Sequence, residues 1–277
     1  MAGDGGLAGI AAQLALDEWA PVDLGHAALH VARLFCADLD VAREHAELDE
    51  LAERVRPSIE RESPGLGRVR GLVAALHGAE GFVGNAAAFE DPRSSFLHEV
   101  LRRRSGLPIS LALVYTEVGR RSGVPLFGIG FPGHFLVGFG PGPDAIVDAF
   151  SGELLGAGEY EQRLRALLGA GARLVPALLA PASPRQILVR MLTNLKFLYA
   201  QRGEDAESLV ACQAIFELAP GDAINLRDRG LLFDRLGHTA AALRDLERFA
   251  ELAPDDPALA SVQARIAILR QQRTLLH

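Results

Sequence analysis

The stretch that decides the fold is "GLPISLALVYTEVGRRSGVPLFGIGFPGHFLVGF", residues 106–139. Gly106 makes a turn, Pro108 suits the first position of a helix, and the apolar helix that follows ends near Arg121, where "SGVP" stops it. The segments "LFGIGF" and "HFLVGF" flank a Pro-Gly turn, and "AIVDAF" follows them, which predicts short antiparallel strands. We therefore expect a core helix followed by a small antiparallel sheet.

Upstream of this stretch the sequence predicts helices. In residues 1–90, segments such as "VAREHAELDELAERVRPSI" carry apolar residues at three- and four-residue spacing. A further helix is expected in "SFLHEVLRRR", with Ser94 or Ser95 as its N-cap.

Downstream, the chain repeats itself with an offset of 34 positions. The repeated glycines, Gly203 and Gly237, fit turns between helices. The repeated prolines, Pro220 and Pro254, fit the ends of the second helices. This period and pattern resemble the tetratricopeptide repeat, and the last segment reads as a helix that covers the second repeat. The nine matching pairs are Leu198/Leu232, Tyr199/Phe233, Gly203/Gly237, Ala206/Ala240, Leu209/Leu243, Glu217/Glu251, Leu218/Leu252, Ala219/Ala253 and Pro220/Pro254.

Composition excludes several classes of function. The formal net charge of the 277 residues is −7, which argues against a general nucleic-acid binder. No apolar run reaches the length of a membrane span, and the first twenty residues lack the positive region of a signal peptide, so a cytoplasmic protein is expected. Cys36 and Cys212 are too isolated for a disulfide framework or a zinc cluster. Nucleotide- and metal-binding motifs are absent, so no cofactor and no metal are predicted.

One histidine and one aspartate in the central segment suggest chemistry. His134 opens one predicted strand and Asp148 lies on the next, so a short hairpin would bring them together. A helix N-terminus that faces such a pair suits nucleophilic catalysis, because the helix dipole lowers a thiolate pKa and the carboxylate orients the imidazole.

Three segments carry a family resemblance: "SSFLHEVLRRRSGLPISLALVY", "GVPLFGIGFPGHFLVGF" and "IVDAFSGELL". With the repeats that follow, the chain resembles the transglutaminase-like superfamily, and more closely the bacterial SirB-type family, which joins such a core to C-terminal tetratricopeptide repeats. The resemblance implies an α+β fold with a helix-rich, papain-like core and a small antiparallel sheet, followed by an all-α domain of helical hairpins.

The resemblance also implies domain boundaries. The transglutaminase-like domain is predicted at residues 1–170, with a helical part at 1–90 and the core helix and sheet at 91–170. A linker is predicted at 171–184, and two repeats with a capping helix at 185–277.

The resemblance leaves the nucleophile unaccounted for. Active members of the superfamily begin the core helix with a cysteine in a pattern like G-x-C-x-x-x-A. Here Gly106 and Ala112 match that pattern, but Pro108 stands at the cysteine position and Ser110 is the only hydroxyl near the helix start. Cys36 and Cys212 lie too far along the chain to substitute by position.

Three hypotheses follow for the function. The favoured one is a non-catalytic protein that binds a protein or peptide through the repeats or the former active-site cleft, with no nucleic acid or membrane as partner. The alternative is an amide or ester hydrolase, or an acyl transferase, using Ser110, His134 and Asp148. The third is a purely structural or regulatory subunit. Catalysis requires Ser110 within hydrogen-bond reach of His134, whereas a structural pair requires only His134 and Asp148 to meet.

Overall fold

The computed structural model describes residues 6–142 and 144–275, which form two compact units. The first unit is Trp19–Met191, and the second comprises Met1–Glu18 and Leu192–His277, apart from the undescribed ends. The α-helices are α1 Leu7–Leu16, α2 Leu24–Arg33, α3 Val41–Glu60, α4 Leu66–Val73, α5 Leu97–Arg103, α6 Pro108–Arg121, α7 Ala157–Leu168, α8 Pro184–Gln201, α9 Asp205–Leu218, α10 Ala223–Arg235, α11 Thr239–Leu252 and α12 Leu259–Leu275. The strands are β1 Val83–Gly84, β2 Ser105–Gly106, β3 Leu126–Ile129, β4 Leu136–Phe139, β5 Ala145–Asp148 and β6 Glu153–Leu155. Short 3-10 helices lie at Ala86–Glu90, Pro92–Ser95 and Pro176–Leu179, and a π-helical turn at Ala74–Ala79.

Helix α6 is the core helix of the first unit. It begins at Pro108, as the sequence predicts, and nearly all of its residues as far as Gly119 are buried. An all-round apolar helix needs partners on every side, and α6 contacts α2, α3, α5 and strands β3 and β4.

The four-stranded sheet is an antiparallel meander in the order β3-β4-β5-β6. Phe127 pairs with Gly138 and Val137 pairs with Val147, so each strand lies beside its sequence neighbour. Gly133, in the turn before β4, has φ +66°, a left-handed conformation that glycine adopts without strain. The predicted α+β class, with helices beside a small antiparallel sheet, is confirmed.

The predicted N-cap of α5 is wrong. Ser94 and Ser95 are buried in the 3-10 helix Pro92–Ser95, and α5 instead begins after Phe96 without a side-chain cap. The side chain of Asp91 accepts a hydrogen bond from the backbone N–H of Arg93 at 3.0 Å. The Asp-Pro pair therefore starts a separate turn ahead of the helix, and the serines fall inside that turn.

Residues 171–184, which the sequence analysis assigned to a linker, pack against the sheet of the first unit. Leu174, Leu178 and Leu179 lie against the cluster that contains Ile129 and Phe131. The backbone N–H of Ala182 donates to the carbonyl of Gly128 at 2.8 Å, and Pro181 forms an isolated bridge with Ile129. The segment thus covers the free edge of β3, which would otherwise expose unpaired backbone groups.

The second unit contains the helical hairpins α8–α9, with α8 from Leu192 onward, and α10–α11, and the closing helix α12. Gly203 and Gly237 make the turns inside the hairpins, with φ of +74° and +80°. Phe249 and the neighbouring side chains of α10, α11 and α12 form a common core. The two helical hairpins predicted from the 34-residue period are present.

Helix α1 belongs to the second unit, whereas the sequence analysis placed residues 1–18 in the N-terminal domain. Leu7, Ala11 and Leu14 form its buried face, and α1 packs on α9. Their spacing predicts a helix but does not indicate its partner. None of the helices in the described residues is long and apolar enough to cross a membrane.

Candidate functional site

His134 and Asp148 form a hydrogen-bonded pair in the first unit. Asp148 is the last residue of β5 and is 2% exposed, while His134 lies in the turn that leads into β4. The distance from His134 Nε2 to Asp148 Oδ1 is 2.9 Å. Because an ionised carboxylate only accepts, Nε2 carries the proton in this pair and Nδ1 is the nitrogen left for other partners.

The carboxylate of Asp148 has two further donors. The guanidinium of Arg163, on α7, contacts Oδ2, and the backbone N–H of Phe150 donates to Oδ1 at 2.9 Å. Burial by itself would raise the pKa of Asp148, but the hydrogen bonds from His134, Arg163 and Phe150 outweigh it and hold this pKa well below its usual value. Asp148 therefore stays ionised and connects the turn before β4, the end of β5 and helix α7.

The turn that carries His134 is fixed from α8. Arg190 donates to the carbonyl of His134 at 2.7 Å and to that of Phe131 at 3.3 Å, and its guanidinium lies 5.6 Å from the ring centre of Phe135. Arg190 holds the backbone of the turn and leaves the imidazole free to meet Asp148.

Phe150 lies beside the histidine and over β1. The two ring centres are 6.1 Å apart in an edge-to-face arrangement. A Cβ added to Gly84 would fall 2.2 Å from the Phe150 ring, so only glycine fits at that position of β1. This close approach joins the end of the sheet to the small β1–β2 pair that precedes α6.

Ser110 takes part in a different set of contacts. It lies in the first turn of α6, is fully buried, and its hydroxyl contacts the carbonyl oxygens of Ser94 at 2.7 Å and Leu107 at 3.0 Å. A hydroxyl has one proton, so this proton is shared between two backbone acceptors. Among the described residues, neither ring nitrogen of His134 is a hydrogen-bond partner of Ser110.

Tyr115, also on α6, is a buried polar group that the sequence analysis did not single out. Its hydroxyl has no hydrogen-bond partner among the described side chains and backbone groups. Burial, together with the negative charge of Asp148, raises the pKa of the phenol above its usual value. Tyr115 therefore stays neutral on the core helix, close enough to Asp148 to be affected by its charge.

Neither cysteine is among the described partners of His134 and Asp148, and both thiols are free. Cys36 follows α2, where burial and the carboxylate of Glu99 raise its pKa. Cys212 is fully buried in α9, and burial raises its pKa to about 12. A thiol with a raised pKa is a poor nucleophile because only the thiolate attacks. Across residues 6–142 and 144–275, no group of three histidine, cysteine or acidic side chains could hold a metal ion.

The site residues that the sequence analysis missed are Arg163, Arg190, Tyr115 and Phe150. Arg163 is one of two arginines in α7, and nothing local distinguishes it from its neighbour Arg165. The contacts of Arg163 and Arg190, and those of the Phe150 ring with His134 and Gly84, depend on how the elements pack.

A second candidate site lies on the repeats. Helices α8, α9 and α10 line an open pocket of about 190 Å³, which we call the repeat pocket. Its lining residues are Lys196, Phe197, Ala200, Ser208, Asp228, Leu231, Leu232 and Arg235. All of them belong to the second unit.

A sequence model of the transglutaminase-like superfamily matches residues 42–193, more than half of the chain. The chain belongs to this superfamily. A tetratricopeptide repeat model matches residues 195–267, so the transglutaminase-like domain is followed by repeats.

Relatives from several bacteria match this chain along most of its length. A UPF0162 protein of Xylella fastidiosa is 37% identical over 256 residues, which cover 90% of this chain and 91% of the relative. A UPF0162 protein of Pseudomonas aeruginosa is 36% identical and covers 86% of this chain and 87% of its own length. Protein SirB1 of Salmonella typhimurium is 26% identical over 208 residues, covering 74% of this chain and 77% of its own length. The resemblance to the bacterial SirB-type family is confirmed.

Proposed function

We propose that this protein is a non-catalytic member of the transglutaminase-like superfamily that binds another protein through its repeats. The observation that carries the proposal is the position of Ser110. Its hydroxyl is buried and contacts the carbonyls of Ser94 and Leu107, and Pro108 stands at the helix position where active members carry cysteine. The start of α6 thus offers no side chain that could attack a substrate.

On this proposal, His134 and Asp148 stabilise the first unit. Their hydrogen bond connects the turn before β4 to the end of β5, and Arg163 extends it to α7. Since a buried carboxylate without partners is costly, this set of donors supports a structural role for the pair.

Binding is supported by the second unit. Tetratricopeptide repeats generally mediate protein–protein interaction, and the repeat pocket gives this pair of hairpins a concave feature with polar and apolar walls. The former active-site cleft around His134 is a second candidate surface, because that side chain is 21% exposed.

A hydrolase or acyl transferase that uses Ser110, His134 and Asp148 is the alternative. The 2.9 Å bond between His134 and Asp148 favours it, since a carboxylate bonded to one ring nitrogen orients the imidazole as a base, here through Nε2 with Nδ1 left for a nucleophile. Ser110 would have to leave both carbonyls and become accessible before it could transfer a proton to the imidazole.

Steady-state assays separate the two functions. The purified protein is tested on a panel of activated esters and anilides beside Ser110→Ala and His134→Ala. We expect equal background hydrolysis for all three proteins. Turnover by the wild-type protein that disappears in both variants would refute the non-catalytic proposal.

A further inference from the structure

The charges that line the repeat pocket are already paired. Lys196 Nζ lies 2.7 Å from Asp228 Oδ2, and the lysine side chain is only 6% exposed. Arg235 makes two hydrogen bonds of 2.8 Å with Asp205. A carboxylate from a ligand would have to displace one of these partners, which would leave Asp205 without its counterion or Asp228 with only Arg227, at 2.9 Å. The pocket therefore has no free positive charge for an acidic ligand.

Apart from Ser208, whose hydroxyl donates to the carbonyl of Lys196 at 3.0 Å, the remaining lining is apolar. Phe197 is 53% exposed at the pocket, and Ala200 lies one turn further along α8. Across the pocket, α10 contributes Leu231, and seven residues before it on the same helical face Ile224 is 52% exposed. Apolar residues of both helices thus lie between ion pairs, which is the arrangement of a protein interface, with an apolar centre and a polar rim.

We infer that the repeat pocket receives one apolar side chain, aromatic or branched aliphatic, from a segment of another protein. This inference rests on the proposed function and narrows it to one class of partner. The segment is recognised through its apolar anchor, and acidic segments or free carboxyl termini are disfavoured because Asp228 and Asp205 already hold the cations.

The test is a selection of random 16-residue peptides displayed on phage against the full-length protein. We expect the enriched peptides to share one aromatic or branched aliphatic position. In synthetic peptides, measured by fluorescence anisotropy, replacement of that residue by aspartate should weaken binding by about tenfold or more.

Substitutions in the protein test whether the apolar anchor of the peptide binds in the repeat pocket. Ala200 is exposed on α8, so Ala200→Phe fills the pocket without altering the core, and we expect it to weaken binding by about tenfold. The matched control is Ala240→Phe, at an exposed alanine of α11 that does not line the pocket, and binding should be unchanged. Asp228→Asn removes the partner of Lys196, so the aspartate-substituted peptide should bind this variant more tightly than it binds the wild-type protein.

The outcomes distinguish this inference from the proposed function. Enriched peptides with an acidic anchor, or peptides whose binding Ala200→Phe leaves unchanged, overturn the apolar-anchor inference while protein binding stands. No enrichment on the folded protein overturns both. A dimer in light scattering that Ala200→Phe dissociates would assign the pocket to a second copy of this chain and would also overturn the inference.

Discussion

Asp148 is the residue at which the contacts of the transglutaminase-like site converge. It joins an imidazole, a guanidinium and a backbone N–H at the end of one strand. The sequence predicts its meeting with His134, because a hairpin brings the residues just before β4 beside the end of β5. The sequence does not predict Arg163, since that contact depends on the angle at which α7 returns to the sheet.

His134→Ala should lower the stability of the protein. The substitution removes a hydrogen bond to a buried ionised group, which is worth about 1.5–3 kcal/mol. For a chain of this size the melting temperature should fall by several degrees, measured by calorimetry. His238→Ala, at an exposed histidine of the repeats, is the control and should have little effect. An unchanged melting temperature for His134→Ala would argue for a solvent-facing, functional histidine.

The depressed pKa of Asp148 predicts how its contribution depends on pH. Its pKa is lower in the folded protein than in the unfolded chain, so its stabilising effect is complete above an unfolded pKa of about 3.9 and decreases as pH falls below that value. The gap in unfolding free energy between the wild-type protein and Asp148→Asn should therefore be wide at pH 7 and narrower at pH 3.

Urea unfolding at the two pH values measures this gap. Glu153→Gln is the matched control, because Glu153 also contacts Arg163 at 3.3 Å but is 61% exposed, and such a pair contributes little. A gap for Asp148→Asn that is equally wide at pH 3 would show that the ionised carboxylate is not the stabilising form.

Among the secondary-structure elements, those with a clear period were predictable from the sequence. The apolar run of α6 and the alternating pattern of the strands predict the types and the order of these elements. The 34-residue period predicts the two hairpins. The start of α5 was not predictable in this way, because both serines and the Asp91–Pro92 pair are strong local signals. The helix begins after Phe96 because tertiary contacts bury both serines in the preceding 3-10 helix.

The turns inside the two hairpins give a prediction for these elements. Gly203 and Gly237 have left-handed backbones with nothing within 4 Å of an added Cβ, so alanine would cost only backbone strain, about 1–2 kcal/mol at each turn. Gly221→Ala is the control, since Gly221 also has open space but no positive φ. Denaturant titration should show a lower unfolding midpoint for the first two variants only, and equal midpoints for all three would contradict the turn assignment.

At the scale of the whole molecule, the two units do not follow the order of the chain. Residues 6–18 belong with the repeats, and α1 buries Leu7, Ala11 and Leu14 as it packs on α9. Two fully buried leucines and an alanine are worth several kcal/mol, at about 1.5–3 kcal/mol for each leucine. The first helix of the chain therefore contributes to the stability of its C-terminal unit.

Removal of residues 1–18 tests this connection. Backbone amides of α9 should exchange faster with deuterium, because the helix loses its cover, whereas peptides from α6 should keep their protection and serve as an internal control. Hydrogen exchange followed by mass spectrometry makes the measurement. Unchanged protection in α9 would contradict the role assigned to α1.

The sequence by itself determined the type and order of the elements, the repeat architecture, the pairing of His134 with Asp148 and the absence of a cysteine at the start of α6. These features depend on local periodicity, on turn residues and on strands joined by short loops. Tertiary structure alone decided that Ser110 contacts the carbonyls of Ser94 and Leu107, that Arg163 and Arg190 support the site, and that α1 covers α9. Each of these contacts depends on how separate elements pack, and a local pattern of residues does not specify which buried partner a side chain meets.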